Sequence, residues 1–458
     1  MSIISCQMTP YMQEIFMFSS QEIIKNIENI CVFGGGITGK KVVNFLKQKK
    51  KNVFLIDSNK QDIDCPYFSD LTDFSKLPPF SILVKSPGVN PSHPLLIKTR
   101  EANIRIISEI SLARSYFKGR VIGITGTDGK STTTALTYAL LSAYYPKTAI
   151  GGNFGIPFIE FCEDDLDFAV LELSSYQLED SDPLELYSSA FLNLASDHLE
   201  RHKTMENYKK AKLKIISADF SNHNFIYNER LKNEIDFKNI HCNIKSFGKD
   251  QQSDCLIDDL EQVIKTNQFR YSTKNFPLMG FHNLENLGAA ILLAESVNCP
   301  SESIQLSLEN FNGLDYRFQK IHTYEKSVFI NDSKSTNTHS LLSGIKGFSD
   351  KNKIILILGG RPKDESLESL KKRLVELKPI QVFIYGEAGK VWAELLKPIP
   401  LQLVSQPRTA LESIKENWNN YRAEYIIFSP ACASFDLYKN FEERGKFFTE
   451  DVKRIFVN

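Results

Sequence analysis

The run VIGITGTDGKSTTTALTYALL, residues 121–141, constrains the fold of this chain more than any other segment. A short apolar strand breaks into a glycine-punctuated turn and then becomes a helix led by Lys130 and Ser131. Gly126 and Gly129 let Thr127 and Asp128 turn backbone N–H groups toward phosphate oxygens. Lys130 adds a point charge, the Ser131 hydroxyl can ligate Mg²⁺ at the helix N-terminus, and Thr132 continues the ATP-binding run. The usual P-loop has a glycine five positions before the one preceding its lysine, and Ile124 stands there; the run reads as GTxGKS instead. It predicts an ATP site inside an α/β domain.

With 458 residues, the chain has room for about three domains of ~150 residues each. The 55 basic and 55 acidic residues balance, which gives no general affinity for nucleic acid or anionic membrane. The eight cysteines are scattered without a CxxC pair, as expected of reduced thiols in a cytoplasmic protein. No apolar run reaches the ~20 residues of a membrane helix, and the N-terminal stretch lacks the basic start of an export signal.

Three stretches follow their own logic. In the first, residues 1–118, the strand NICVF turns at GGGITG, continues as a helix and returns as the strand NVFLIDSN. Gly34, Gly36 and Gly39 satisfy GxGxxG, and Asp57 ends the second strand 18 residues after Gly39. Glycines at that spacing admit a pyrophosphate, and the carboxylate accepts a ribose or base hydrogen bond; NAD and a nucleotide sugar both fit. A further strand, ILVK, ends at Ser86, Pro87 and Gly88, either a ligand-binding strand end or an ordinary turn.

The second stretch, 119–313, carries most of the candidate chemistry. FAVLELSSYQLE and AFLNLASDHLERH read as strands, with Asn153, Glu172 and His198 just past strand ends. A carboxylate there suits a Mg²⁺ ligand facing the phosphate loop. His198 and His202 are spaced like a zinc pair, but no Glu follows His198 and the HExxH pattern fails. Lys212 lies in a basic run of the helix MENYKKAKLKIISADF, whose default reading is a solvated face. Asn283 and Asn286 begin another helix, where they can cap it or read a nucleobase. The third stretch, 314–458, alternates short apolar runs with amphipathic helices, which means another doubly wound sheet. Its candidate sites again follow strands, at NDSKSTN, GGRPKDES and SPACASFDLYKNFEERG.

Taken in order, GTDGKST, LELSSYQLE, SDHLERH, KKAKLK, GFHNLENLGAA, NGLDYRF, NDSKSTN and SPACASFDLYKNFEERG resemble the Mur ligases of bacterial cell-wall synthesis. The last two motifs are most similar to the member that adds D-glutamate. The resemblance covers nearly the whole chain, and it implies three domains: a Rossmann-like UDP-binding domain, a central P-loop-type ATPase and a Rossmann-like C-terminal domain. The implied activity is an ATP-driven amide ligation in which UDP-N-acetylmuramoyl-L-alanine is activated as an acyl phosphate and taken by the amine of D-glutamate.

The same resemblance assigns residues. Lys130 would hold the ATP phosphates, with Ser131 and Glu172 on one Mg²⁺ and His198 with a carbamylated Lys212 on a second. Asn283 and Asn286 fall on the adenine side, and Arg317 with Asp332 reaches ATP from the third domain. Lys334 would steady the phosphoryl intermediate, while Thr336, Lys363, Ser434 and Phe441 match the D-glutamate pocket. Gly36, Ile37, Thr38, Asp57, Ser58 and Gly88 would receive UDP, and Asn153 with His198 the acyl arm. A monomer is implied. The chain departs from the family pattern at Tyr316, where a histidine is usual, and at Gln319, where an acid is usual; the residues before Met17 extend beyond the family's usual start.

Overall fold

The computed structural model describes residues 24–153, 155–216, 222–278, 280–311, 313, 315–362 and 366–457. Met17 and Lys363 therefore lie outside the described residues. Two compact units divide the chain: one runs to Asn275 and includes Phe281–Glu309, and the other joins Phe276–Gly280 to the residues from Asn310 onward.

The first unit holds two sheets. β1 (Asn29–Phe33), β2 (Asn52–Asp57), β3 (Tyr67–Ser69), β4 (Ile82–Lys85) and β5 (Arg105–Ser108) form a parallel sheet in the order β3-β2-β1-β4-β5. Strands such as ILVK are apolar on both faces because helices cover both sides of a parallel sheet. Gly39 lies in the helix Ile37–Gln48 against the preceding turn. A Cβ there would stand 1.8 Å from the Gly34 carbonyl oxygen, so the helix packs this close to β1 only with glycine.

The second sheet is built from β6 (Arg120–Thr125), β7 (Thr148–Gly152), β8 (Phe168–Glu172), β9 (Ser188–Phe191), β10 (Asn224–Asn228), β11 (Asn243–Gly248), β12 (Cys255–Asp258), β13 (Val263–Thr266) and β14 (Arg270–Ser272). Its order is β14-β13-β12-β11-β10-β9-β6-β8-β7. The strands run parallel from β7 to β12 and turn antiparallel through β13 and β14. The helix Lys130–Ser142 buries Leu136, Leu140 and Leu141 and packs against the helix Phe281–Ser296. Each of those leucines contributes roughly 1.5–3 kcal/mol by leaving water. One apolar core runs without a break from Val32 and Leu55 on the first sheet to Leu171 and Phe191 on the second.

The second unit carries β15 (Gln319–Tyr324), β16 (Ser327–Asn331), β17 (Ile354–Gly359), β18 (Gln381–Tyr385), β19 (Leu401–Leu403) and β20 (Tyr425–Phe428) in the order β15-β16-β20-β17-β18-β19. Among the described strands of this unit, only the β15–β16 pair is antiparallel. The expected α/β class and its three sheets are therefore present.

Two local expectations are corrected. FAVLELSSYQLE is a strand only to Glu172; Ser174 then caps the helix Ser175–Glu179, with Gln177 returning the bond in a capping box. The strand expected over AFLNLASDHLERH ends at Phe191, and a separate short helix spans Leu199–His202.

Gly39→Ala forces the Ile37–Gln48 helix away from β1 and is expected to destabilise the protein by roughly 1–3 kcal/mol. Urea unfolding of the two proteins side by side measures the difference.

Candidate active site

The phosphate loop sits between β6 and the helix Lys130–Ser142. Gly129 occupies the left-handed region at φ +79°, and a Cβ there would meet Asn286 Oδ1 at 2.3 Å. The turn is therefore specified by glycine twice over. No side chain caps this helix, so its first N–H groups remain available to an anion.

The loop is held from behind by Asn193, just after β9. Its Oδ1 accepts the N–H groups of Thr127 and Asp128 at 3.0 and 2.8 Å, so these two donors face Asn193 and not, as expected, a phosphate, and its Nδ2 donates to the Asp128 carbonyl at 3.0 Å. The Thr127 hydroxyl meets the Tyr208 hydroxyl at 3.2 Å. Sequence reasoning passed over Asn193; its signal was an amide just past a buried strand next to the loop strand.

Lys130 Nζ donates to the carbonyls of Gly126 and Thr127 at 3.0 and 2.7 Å. Lys212 Nζ donates to the same Gly126 carbonyl at 2.6 Å and lies 4.6 Å from the Tyr208 ring centroid. Its default reading as a solvated lysine is wrong: the side chain is buried, and desolvation together with the Lys130 charge pulls its pKa down to about 6. At neutral pH Lys212 is thus mainly an uncharged amine.

Glu172 ends β8 and is buried. Its Oε2 accepts the Ser131 hydroxyl at 2.5 Å, and its Oε1 accepts Asn153 Nδ2 at 2.7 Å. A serine hydroxyl and a carboxylate converging beside a phosphate loop are hard oxygen donors suited to Mg²⁺. Among the described residues no three His, Cys, Asp or Glu side chains form a cage. Mg²⁺ takes one or two carboxylates and leaves its other positions to water and phosphate. His198, at φ +53°, lies between Asp197 and Glu200, at 3.4 and 3.6 Å, and packs on the Tyr176 ring. His202 is buried and bonded to Ser175 Oγ at 3.0 Å, which makes it a structural residue and no partner of His198. Asn286 accepts the Thr133 hydroxyl and donates to Asn283, so this pair adjoins the loop helix. Beside Asp128 opens a cavity of about 540 Å³ whose wall includes Asn228 and Arg230, both held by the buried Glu285.

A second cavity, of about 570 Å³, opens at the carboxyl ends of β1, β2 and β4. Gly36, Ile37, Thr38, Asp57, Ser58 and Gly88 all line it, and the SPG segment is therefore part of a pocket wall. Asp70, Asn90 and His93 add polar groups that sequence reasoning missed. Asp57 resists the desolvation that pushes its pKa up: hydrogen bonds from Asn59, Gly35, Gln61 and Ser58 hold it below the ordinary value. Asn153 and His198 do not line this cavity; they stand on the loops that follow β7 and β9 of the central sheet.

In the second unit the candidates again cluster past parallel strand ends. Asp332, after β16, accepts the Phe318 N–H at 3.1 Å and the Ser429 hydroxyl at 2.6 Å. Burial raises its pKa to about 7, against those bonds and the Arg317 charge. Lys334 Nζ stands 3.9 Å from the Phe441 ring centroid, Ser434 is buried, and Thr336 is half-buried two residues on. Arg444, fully buried, holds these loops together: it donates to the Ser333 hydroxyl and carbonyl at 2.9 and 2.7 Å and to the Cys432 carbonyl at 2.9 Å.

Strand, glycine turn, lysine-led helix and a strand-end carboxylate on the neighbouring strand define a phosphate-loop nucleotide-binding protein. The family model described as the Mur ligase middle domain matches residues 124–294. Curated relatives named UDP-N-acetylmuramoylalanine--D-glutamate ligase include one from Leptospira interrogans, 44% identical over 93% of this chain and 96% of its own, and one from Aquifex aeolicus, 32% identical over 93% and 99%. The chain belongs to the Mur ligase family. A solved MurF structure from Acinetobacter baumannii shares the fold, with TM-score 0.59 and 19% identity over 93% of this chain and 92% of that one.

Between the ordinary 3.8 and about 7, folded Asp332 keeps a proton that the unfolded chain releases, so raising the pH through that window costs stability. Asp332→Asn removes this loss. Its melting temperature relative to wild type is expected to rise from about pH 5 to about pH 8, as read by calorimetry.

Proposed function

We propose that this chain is a cytoplasmic, monomeric ligase that joins D-glutamate to UDP-N-acetylmuramoyl-L-alanine at the expense of ATP, in peptidoglycan precursor synthesis. The observation that carries this reading is the Ser131–Glu172–Asn153 cluster facing the phosphate loop, in a chain 44% identical to a relative named for that activity. Residues 1–118 would form the nucleotide-sugar domain, 119–313 the ATP domain and 314–458 the amino-acid domain.

The reaction needs charge neutralisation more than a protein nucleophile. The alanyl carboxylate attacks the γ-phosphorus of ATP, releasing ADP; the D-glutamate amine then attacks the acyl carbon, and phosphate leaves. Lys130, released from the carbonyls of Gly126 and Thr127, moves its charge onto the phosphates. The N–H groups at the uncapped helix end orient the phosphate chain, with Asn283 and Asn286 beside them. Bound Mg²⁺ would neutralise phosphate charge, held by Ser131 and Glu172 at one position and by His198 and a carbamylated Lys212 at the other. The uncharged Lys212 amine supports that modification: its nitrogen attacks CO₂, a proton passes to solvent, and an anionic carbamate with oxygen donors replaces the neutral amine.

The cavity over the first sheet takes UDP, and Asn153 and His198 take the acyl arm. In the second unit Arg317 and Asp332 serve ATP, and Lys334 serves the phosphoryl group. Thr336, Ser434 and Phe441, with Lys363, serve D-glutamate, for which a lysine supplies a carboxylate partner.

Phosphate release with ATP, Mg²⁺ and UDP-N-acetylmuramoyl-L-alanine is expected with D-glutamate and not with L-glutamate or without an amino acid. Lys130→Ala is expected to lower kcat about 100- to 1000-fold. Release with a different amino acid alone would overturn the substrate assignment. Separately, wild-type enzyme depleted of CO₂ is expected to regain activity on addition of bicarbonate above about pH 6, where the Lys212 amine is neutral. Lys212→Ala is expected not to respond.

A further inference from the structure

Arg201 lies three residues after His198, on the short helix Leu199–His202. Nη1 donates to the carbonyls of Pro87 and Val89 at 2.8 and 3.4 Å. Both residues line the cavity over the first sheet. Nε and Nη2 donate to Glu179 Oε2 at 3.1 and 2.9 Å, and the guanidinium lies 4.2 Å from the Tyr176 ring centroid. That ring also packs against His198 at 4.9 Å, and the Tyr176 hydroxyl donates to Glu200 at 3.3 Å.

One side chain, its surface 10% exposed, thus fastens three elements: the turn after β4, the helix Ser175–Glu179 that follows Glu172, and the turn that presents His198. Beneath it the same first two elements are joined again by the buried Lys85–Asp180 ion pair at 2.6 Å. The two cations and two carboxylates balance one another. A planar fork that satisfies a carboxylate and two carbonyls at once cannot be replaced by a lysine's single point charge.

We infer that Arg201 is a positioning residue that sets the span between the nucleotide cavity and the His198–Glu172 end of the central sheet. This rests on the substrate reading above, because a UDP-sugar carrying an acyl arm must bridge those two places. Phosphoryl transfer demands near-attack geometry, and misplacement by about 1 Å costs on the order of 100-fold in rate. A strut between the two subsites determines whether the bound carboxylate arrives in register.

The test compares wild type with Arg201→Met, which keeps the stem and loses the fork, and with Arg201→Lys. Affinity for UDP alone is expected to stay within about twofold, while kcat/KM for UDP-N-acetylmuramoyl-L-alanine falls roughly 30- to 100-fold and KM for ATP moves about twofold at most. Glu179→Gln is expected to be non-additive with Arg201→Met. Equal loss of UDP affinity and turnover, or turnover equal to wild type in Arg201→Met, would overturn the strut while leaving the ligase reading intact. Hydrogen exchange supplies a readout that needs no turnover. Saturating UDP is expected to protect residues 198–202 in wild type and to lose that effect in Arg201→Met; protection that is equal in both, or absent in both, sinks the inference. Absence of turnover in wild type bears on the substrate reading alone, since the exchange experiment uses only UDP.

Discussion

Two lysine amines converge on one carbonyl oxygen, that of Gly126, and much of the first unit is arranged around this crowding. Two full positive charges cannot share so small a buried space without a counter-charge. The protein resolves the conflict by leaving Lys130 half-buried while burying Lys212, where desolvation and the Lys130 charge pull its pKa down to about 6. The neighbouring carboxylate of Glu172 is occupied by Ser131 and Asn153 and lends neither lysine a direct bond. An incoming polyphosphate therefore meets a lysine whose hydrogen-bond partners, among the described residues, are carbonyls. Those are easier to exchange for phosphate oxygens than a carboxylate would be.

The parts of this design that depend on backbone geometry were legible in the sequence. Glycine spacing announced both turns, because a Cβ at Gly129 would meet Asn286 at a left-handed φ of +79° and a Cβ at Gly39 would collide with the Gly34 carbonyl. Apolar runs announced β1, β4, β6, β8 and β17 because strands of a parallel sheet are buried on both faces. Side-chain burial was less legible. Lys212 sits among lysines on a helix of low mean hydropathy, and nothing local distinguishes the one that turns inward. Arg444 looks like a solvated helix residue for the same reason, although its three nitrogens are spent on carbonyls and a hydroxyl from distant loops. The capping box at Ser174 was written in the sequence, yet the apolar run before it masked the change from strand to helix.

The second unit repeats the solution of the first with different chemistry. Candidate side chains again stand past the carboxyl ends of parallel strands, where a twisted sheet leaves a crevice. Here a buried carboxyl, Asp332, is held by a hydroxyl and a backbone N–H while desolvation raises its pKa. In the first unit an amine is discharged; in the second a carboxylate is made reluctant to ionise. Both are ways of keeping a titratable side chain inside a protein without a matching ion.

The amide of Asn193 fixes the bend of the phosphate loop before any ligand arrives, since it satisfies two backbone donors and one acceptor of that loop by itself. A loop frozen in this way gives up little further conformational entropy on meeting a nucleotide, so more of the contact energy is expressed as affinity. It also has limited freedom to reshape itself around a different polyphosphate. Selectivity for the ligand's outline is therefore inherited from a side chain that faces the back of the loop, one strand away from the glycines that give the loop its signature.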